Sequence, residues 1–325
     1  MAPVPLDFNL RLFRIKLVKI SPEQRAFFKE QLGYSHLDHI HPPNTQVAID
    51  MEHQFIVDEV RSFAKKNPVH MLDIGCGWGD FSEKLDPYLA SYVGVDPSVS
   101  ELRRFNLRPK RYVMRGVGEF LDFVKDRSRN FILLNSVIDH AFDTDKLFVN
   151  CFRILVPGGL MIISMENAQK FPARLKHWLG RKVVHEGHFS FWGVTEVERV
   201  LRPDFNIIQK RTFGFLYGFH QLTKKVPLPT ALLRPMNRLA NKVAGYIAPN
   251  AGTYLFVSAI RKGDAAQPTN FDRPLCCPNC HADWDYTTQT CPACRCEFPY
   301  VDGKLPDTIK MNSELRQDVG VPQGS

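Results

Sequence analysis

The sequence predicts an α/β protein: a doubly wound seven-stranded sheet followed by a small C-terminal zinc ribbon. Three observations carry the prediction. A strand, a glycine turn and a helix start follow one another in VHMLDIGCGWGDFSEKL (69–85); strand and helix signals alternate from there to about residue 262; and six of the eight cysteines gather between 276 and 296. A chain of 325 residues that is 44% hydrophobic holds one domain of about 200–250 residues with a small appendage.

No run of 18 apolar residues is present, and the first 20 residues are broken by Asp7, Arg11, Arg14, Lys16 and Lys19, unlike a membrane span or a secretion signal. A cytoplasmic protein is expected, peripheral at most to a membrane. In that reducing compartment clustered cysteines read as metal ligands rather than disulfides.

Residues 1–65 read as a basic and helical prelude, its helical part over 21–66, with a capping box at Ser21 and Gln24. Within it, YSHLDHIHPP brings His36, Asp38, His39 and His41 together, either as a proline-bounded polar loop over a pocket or as a metal set. Val69–Ile74 is the first strand, and Phe81–Leu89 the helix after the turn.

Glycines at 75, 77 and 79 let the backbone pass close beneath a nucleotide-like ligand. A dinucleotide fingerprint needs another glycine where Asp80 stands, and here Asp73 precedes the turn. That acid suits a ligand carrying positive charge, such as the ammonium and sulfonium of S-adenosylmethionine. A second short strand, SYVGVDPS, ends in Asp96 about 20 residues after the glycines, where a carboxylate can accept both ribose hydroxyls. Cys76 within the turn and Pro97 beside Asp96 complete this part of the predicted cofactor set.

With LDIGCGWG, GVDPS and NSVIDHAFDTDKLFVNCFRILVPGGLMIIS (135–164), residues 66–262 resemble the class I S-adenosylmethionine-dependent methyltransferases, closest to the group that holds ubiquinone- and menaquinone-pathway, natural-product and glycan enzymes. The resemblance implies strands near 69, 92, 112, 131 and 160, a sixth over 205–211 and a seventh over 253–261, the last antiparallel. It also implies Gly118, Glu119 and Asn135 as cofactor contacts. Two departures stand out: Gly116-Val117-Gly118-Glu119 replaces the family's Gly-Asp-Ala-Glu, so adenine contact comes from elsewhere, and Asn130 replaces the Asp that opens the fourth strand.

Two inserts lie where substrate arrives. The first (165–192) resembles the family's lid and carries His177, His185, Glu186 and His188; the second (212–252) holds MNRLANKVAGYI, with Met236, Leu239, Ala240, Val243, Ala244 and Ile247 at helical spacing on a basic, amphipathic helix. From Asp204 to Asp264 no acidic residue intervenes while nine basic ones do, which invites an anionic partner such as a membrane surface. Methyl transfer to a hydroxyl needs one base. His140, beside Asp139 at the end of the fourth strand, and His185 and His188 in the lid are the candidates.

Residues 263–275 read as a linker, 276–307 as the ribbon and 308–325 as a flexible tail. Cys277-x-x-Cys280 and Cys291-x-x-Cys294 have the spacing of a closed, structural Zn2+ site, with Cys276 and Cys296 flanking it. The ribbon resembles the small zinc-ribbon proteins that activate tRNA and release-factor methyltransferases, which leaves room for a protein partner at Trp284, Tyr286 and Phe298.

The expected function is transfer of a methyl group from S-adenosylmethionine to a small, lipid-linked or glycan acceptor, at oxygen. An RNA or protein methyltransferase gripping its substrate with ribbon and basic segment is the alternative, and a non-catalytic scaffold on the same fold is a third reading. Nucleic acid ranks below the other partners, since no aromatic-rich RNA-binding motif is present.

Overall fold

The computed structural model describes residues 43–170, 192–216, 229–264, 271–285 and 288–311, together with Pro22, Ala26 and Ser190. In chain order the elements are α1 (Pro43–Ala64), β1 (Val69–Ile74), α2 (Asp80–Lys84), β2 (Leu89–Asp96), α3 (Val99–Leu102), β3 (Arg111–Arg115), β4 (Arg129–Asn135), α4 (Thr144–Ile154), β5 (Leu155–Glu166), α5 (Val194–Leu201), β6 (Phe205–Phe213), α6 (Thr230–Ile247) and β7 (Tyr254–Arg261). The C-terminal part adds β8 (Tyr300–Val301), β9 (Leu305–Pro306) and α7 (Thr308–Met311).

The seven-stranded sheet runs β3-β2-β1-β4-β5-β7-β6. The first five strands are parallel, and β7 lies antiparallel between β5 and β6. Its central strands are apolar along both faces because both are covered. On one face Met71, Phe131, Leu133, Ile162 and Phe256 pack with Ile56 and Val60 of α1. On the other, Leu72, Ile132, Leu134 and Ile163 share a cluster with Leu147 of α4 and Val197 of α5.

Several expected boundaries move. The helix after the glycine turn stops at Lys84, because a 3-10 turn at Asp86–Tyr88 with Pro87 inside it follows, and Leu89 already opens β2. β5 continues to Glu166, into the first insert, and β6 to Phe213, into the second. α5 was not anticipated, although Val194, Val197 and Leu201 stand at helical spacing. Ser21, Gln24, His36, Asp38, His39, His41, His177, Glu186 and Tyr286 lie outside the described residues.

The replacement at Asn130 has a structural reason. Its carbonyl accepts from His70 N (2.7 Å) and its amide donates to Pro68 O (2.6 Å), tying β4 to the start of β1. An aspartate could make only the first of these bonds.

The ribbon is built into the main core, and so is the last part of the expected linker, 271–275. The chain is already docked at Phe271, whose ring stacks on His70 at 4.4 Å and whose carbonyl accepts from buried Arg129 (2.5 Å). Leu275 bridges to Val124, and Leu275, Trp284 and Phe298 belong to the same apolar cluster as α4 and β4. Trp284 and Phe298 stack on each other at 4.2 Å and are buried, so neither is offered to a partner. Of the expected tail, Thr308–Met311 form α7 and residues 312–325 lie outside the described residues: Thr308 donates to Arg115 O (2.7 Å), and the fully buried Asp307 pairs with Arg115 (2.9 Å) at the edge of β3.

α6 is amphipathic, as its spacing predicts, with its apolar row turned outward. Leu233, Asn237 and Asn241 face the body, where Asn241 accepts from Gly214 N (2.9 Å), while Leu232, Met236, Leu239, Val243, Tyr246 and Ile247 are exposed. No described helix is long and apolar enough to cross a membrane.

Candidate active site

The strand order reverses between β1 and β4, and in open α/β sheets the ligand crevice lies beyond the carboxyl ends of the strands at such a switch point. The glycine turn sits there. Gly75, Gly77 and Gly79 have φ of +74°, +51° and +92°, a left-handed conformation in which side chains are strained, and a Cβ on Gly75 would stand 2.6 Å from Val137 Cγ2. Gly75 N donates to Val95 O (2.8 Å), drawing the turn against the end of β2.

Asp96 is the hub of this corner. One carboxylate oxygen accepts from Gly77 N (2.9 Å) and the other from Ser98 N (2.8 Å). Burial pushes its carboxyl up to about 6, although both backbone donors pull the other way. Asp73 accepts from the Tyr92 hydroxyl (2.8 Å) and is pushed up to about 7 by burial. Among the described residues neither acid pairs with a lysine, arginine or histidine. Two buried, uncompensated carboxylates beside a glycine turn are chemically matched to a ligand that carries cationic groups and ribose hydroxyls, so the residues present fit S-adenosylmethionine.

The remaining expected contacts divide. Asn135, at the end of β4, has a buried carbonyl oxygen with no partner among the described residues, and directly follows Leu134, the register partner of Ile74 at the start of the glycine turn. Cys76 directs its thiol back to Gly77 O (3.7 Å) and lies beneath Gly94, leaving only its backbone for a ligand. Pro97 turns its carbonyl to Arg115 Nε (3.3 Å). Gly118 and Glu119 also have contacts of their own within the fold. A Cβ on Gly118 would meet Leu147 at 2.5 Å and Ile74 at 2.8 Å, so this glycine serves packing. Glu119 accepts from Phe142 N (2.8 Å) and holds the loop before α4.

His140 ends a 3-10 turn after β4, its Nε2 4.0 Å from Asp139 Oδ2, and is partly exposed. His185 and His188 lie outside the described residues. The first insert rejoins the fold beside this turn, where Ser190 donates to Ile138 O (3.1 Å) and accepts from Trp192 Nε1 (2.7 Å).

Sequence reasoning missed Glu52. It is buried in α1, accepts from the Ser164 hydroxyl (2.5 Å), and burial pushes its carboxyl up to about 7. Ser164 stands next to Asn135 in the β4–β5 register. The signal was available: Glu52 precedes Ile56 and Val60 by one and two helical repeats, on the stripe that faces the sheet.

The ribbon cysteines form a separate centre. The sulfurs of Cys277, Cys280, Cys291 and Cys294 all lie within 4.8 Å of one another, with Cys277–Cys294 at 3.7 Å and Cys280–Cys291 at 3.6 Å. Four thiolates about 2.3 Å from one ion would stand about 3.8 Å apart. The two turns are alike: His281 and Arg295, each just past its second cysteine, have φ of +57° and +59° and donate to Cys277 O and Cys291 O. Cys276 instead donates to Asp122 O, and Cys296 to Glu297 O, so neither belongs to the set.

Residues 48–209 match the methyltransferase domain family. Among curated proteins, the ubiquinone biosynthesis O-methyltransferase of Chelativorans sp. (strain BNC1) is 29% identical over 143 residues, 42% of this chain and 54% of that protein. The protein of the same name from Bradyrhizobium sp. (strain ORS 278) is 33% identical over 107 residues, 30% of this chain and 40% of that protein. The chain thus spans about half the length of these relatives or less. Among solved structures, a SAM-dependent methyltransferase from Archaeoglobus fulgidus matches with 16% identity and a TM-score of 0.44, covering 64% of this chain and 94% of that one. With the strand order and the glycine turn of Asp73–Gly79 in place, the chain carries a methyltransferase domain of the class I S-adenosylmethionine-dependent family, followed by a four-cysteine ribbon.

Proposed function

We propose that the protein transfers a methyl group from S-adenosylmethionine to an oxygen of a small, lipid-linked or glycan acceptor. The observation that carries this reading is the pair of buried carboxylates, Asp73 and Asp96, held above their usual range around a left-handed glycine turn. The O-methyltransferase names of the relatives support oxygen, and a lipid-linked acceptor, as the finer choice.

When bound, the cofactor supplies an electrophilic methyl group on a sulfonium. The chain's part is to orient both reactants, exclude water and take the acceptor's proton. Asp96 would accept the ribose hydroxyls, and Asp73 would face the cationic methionine end. Asn135 would offer its unpartnered carbonyl. Glu52, bonded to the Ser164 hydroxyl next to Asn135 and poised near neutral pH, is the first candidate base, because proton transfer is most efficient when the catalytic group titrates near the working pH. His140 is the second candidate, and His185 and His188 keep the role expected of them.

The ribbon is assigned one structural Zn2+ held by Cys277, Cys280, Cys291 and Cys294, a closed set without an open coordination position. The cytoplasmic setting follows from reduced, metal-binding cysteines. The test is incubation with S-adenosylmethionine labelled on the methyl group and extracted lipid and polar metabolite fractions. Label appearing in an acid-stable ether supports the reading. Label only in protein or RNA overturns it.

A further inference from the structure

We propose that the cavity between α1, the end of β6 and α6 is a phosphate-binding subsite, which holds the anionic group of the methyl acceptor. The inference rests on the reading just given and names a chemical class that it leaves open: a phosphate ester or diphosphate.

The cavity has a volume of about 650 Å³ and is lined by Met51, Phe55, Lys210, Arg211, Arg238 and Lys242. That is the size of a ligand pocket. Three cations, Arg211, Arg238 and Lys242, face it, Lys210 being turned to the other side of the strand, and the stretch from 205 to 263 that supplies them holds no acidic residue. Lys210 is shared with Glu198 (2.6 Å), whereas Arg238 and Lys242 pair with no carboxylate among the described residues. Arg211 is half-buried with its guanidinium 4.4 Å from the centre of the Phe55 ring, a placement that fixes the fork, and Glu59 of α1 is the carboxylate whose charge it feels. A single carboxylate would leave most of this charge unanswered. A phosphate or diphosphate, with two or more negative charges and several acceptor oxygens, matches it.

The position of the cavity relative to the donor site is set by strand register. Asn135 neighbours Ser164, Ser164 neighbours Phe256, and Phe256 neighbours Arg211. These four residues form one row across β4, β5, β7 and β6. Partners in register share a face, and the row lies under α1: Phe256 packs in the α1 cluster, Ser164 bonds to Glu52, and Arg211 covers Phe55. Three strand spacings of about 4.8 Å separate Asn135 from Arg211 by roughly 14 Å. Ser164 and Phe256 in the middle of this row are fully buried under α1, so the row fixes the separation of the two sites and is not itself the acceptor's path. The exposed apolar row of α6 borders the same cations, which suits a phosphate presented by a lipid.

The experiment is calorimetric titration of the full chain with pyrophosphate, for the parent and for R238Q/K242Q, whose substituted side chains are exposed and therefore removable without loss of folding. The expected result is saturable binding by the parent, weakened about tenfold or more in the double variant, with S-adenosylhomocysteine affinity the same in both. Cosedimentation with vesicles of phosphatidylcholine containing phosphatidic acid, but not phosphatidylcholine alone, and loss of it in L239S/V243S, identifies the phosphate as a lipid headgroup. Pyrophosphate binding without cosedimentation identifies a soluble phosphorylated acceptor. Either outcome upholds the subsite. No pyrophosphate binding by the parent, or binding unchanged in R238Q/K242Q, overturns it. Because the S-adenosylhomocysteine titration is separate, a chain that binds pyrophosphate but ignores the cofactor product sinks the methyl-transfer reading and leaves the subsite standing.

Discussion

As the proposed base, Glu52 would couple function to stability at the level of one side chain. Its folded carboxyl titrates at about 7 against an ordinary 4.5, so the unfolded chain gives up this proton first as pH rises. Its contribution to stability is therefore full below about 4.5 and lost as pH rises through 7, a change on the order of 3 kcal/mol. Glu52→Gln keeps the shape and can still accept from Ser164, so urea unfolding at acid and at alkaline pH should show a smaller loss of stability in the variant than in the parent. Methyl transfer should fall by about a hundredfold or more. A variant with parental turnover would return the base to His140. The glycines and Asp96 were legible in the sequence because their chemistry is local, a turn that only glycine tolerates and an acid at a strand end. Glu52 was not, because its role depends on a sheet contact 112 residues away.

Among elements, the ribbon departs furthest from its sequence reading. Its metal spacing was plain in the sequence, whereas its attachment was not, since the edge of β3 and the turn at 307–308 meet only in three dimensions. Asp307 is fully buried and Arg115 nearly so, and Arg115 also donates to Pro97 O beside the cofactor corner. Asp307→Ala should therefore cost about 3 kcal/mol of stability, by leaving a buried guanidinium unpaired, and should weaken S-adenosylhomocysteine binding measurably. Elemental analysis should show one zinc per chain in the parent and none in Cys291→Ser, and the variant should lower the melting temperature of the whole domain, because Leu275, Trp284 and Phe298 share its core. A ribbon variant that melts like the parent would show the ribbon to be an independent clasp after all. The helical period of α6 was likewise readable, but not which face it turns outward, since Leu233 and Asn237 pack inward while Leu239 and Val243 do not.

Across the whole molecule, alternating strands and helices made the doubly wound sheet legible, and the antiparallel β7 came from the family resemblance. What no local pattern conveyed was the alignment of a donor corner at β1 and β2 with a cationic cavity at β6, an arrangement set by register across four strands. The donor corner is the foundation of that arrangement. In the free protein Asp96 and Asp73 keep their protons up to about pH 6 and 7. A ligand that needs both as acceptors must release those protons, so its affinity is full well above pH 7 and declines as pH falls through 7 and then 6. The most direct test is calorimetric titration of S-adenosylhomocysteine into the parent and into Asp96→Ala, at neutral and at mildly acidic pH. The account predicts binding by the parent that weakens at acid pH, and a loss of about 1.5–3 kcal/mol in Asp96→Ala with folding retained. A parent that does not bind, or an Asp96→Ala variant that binds as tightly as the parent, would contradict it.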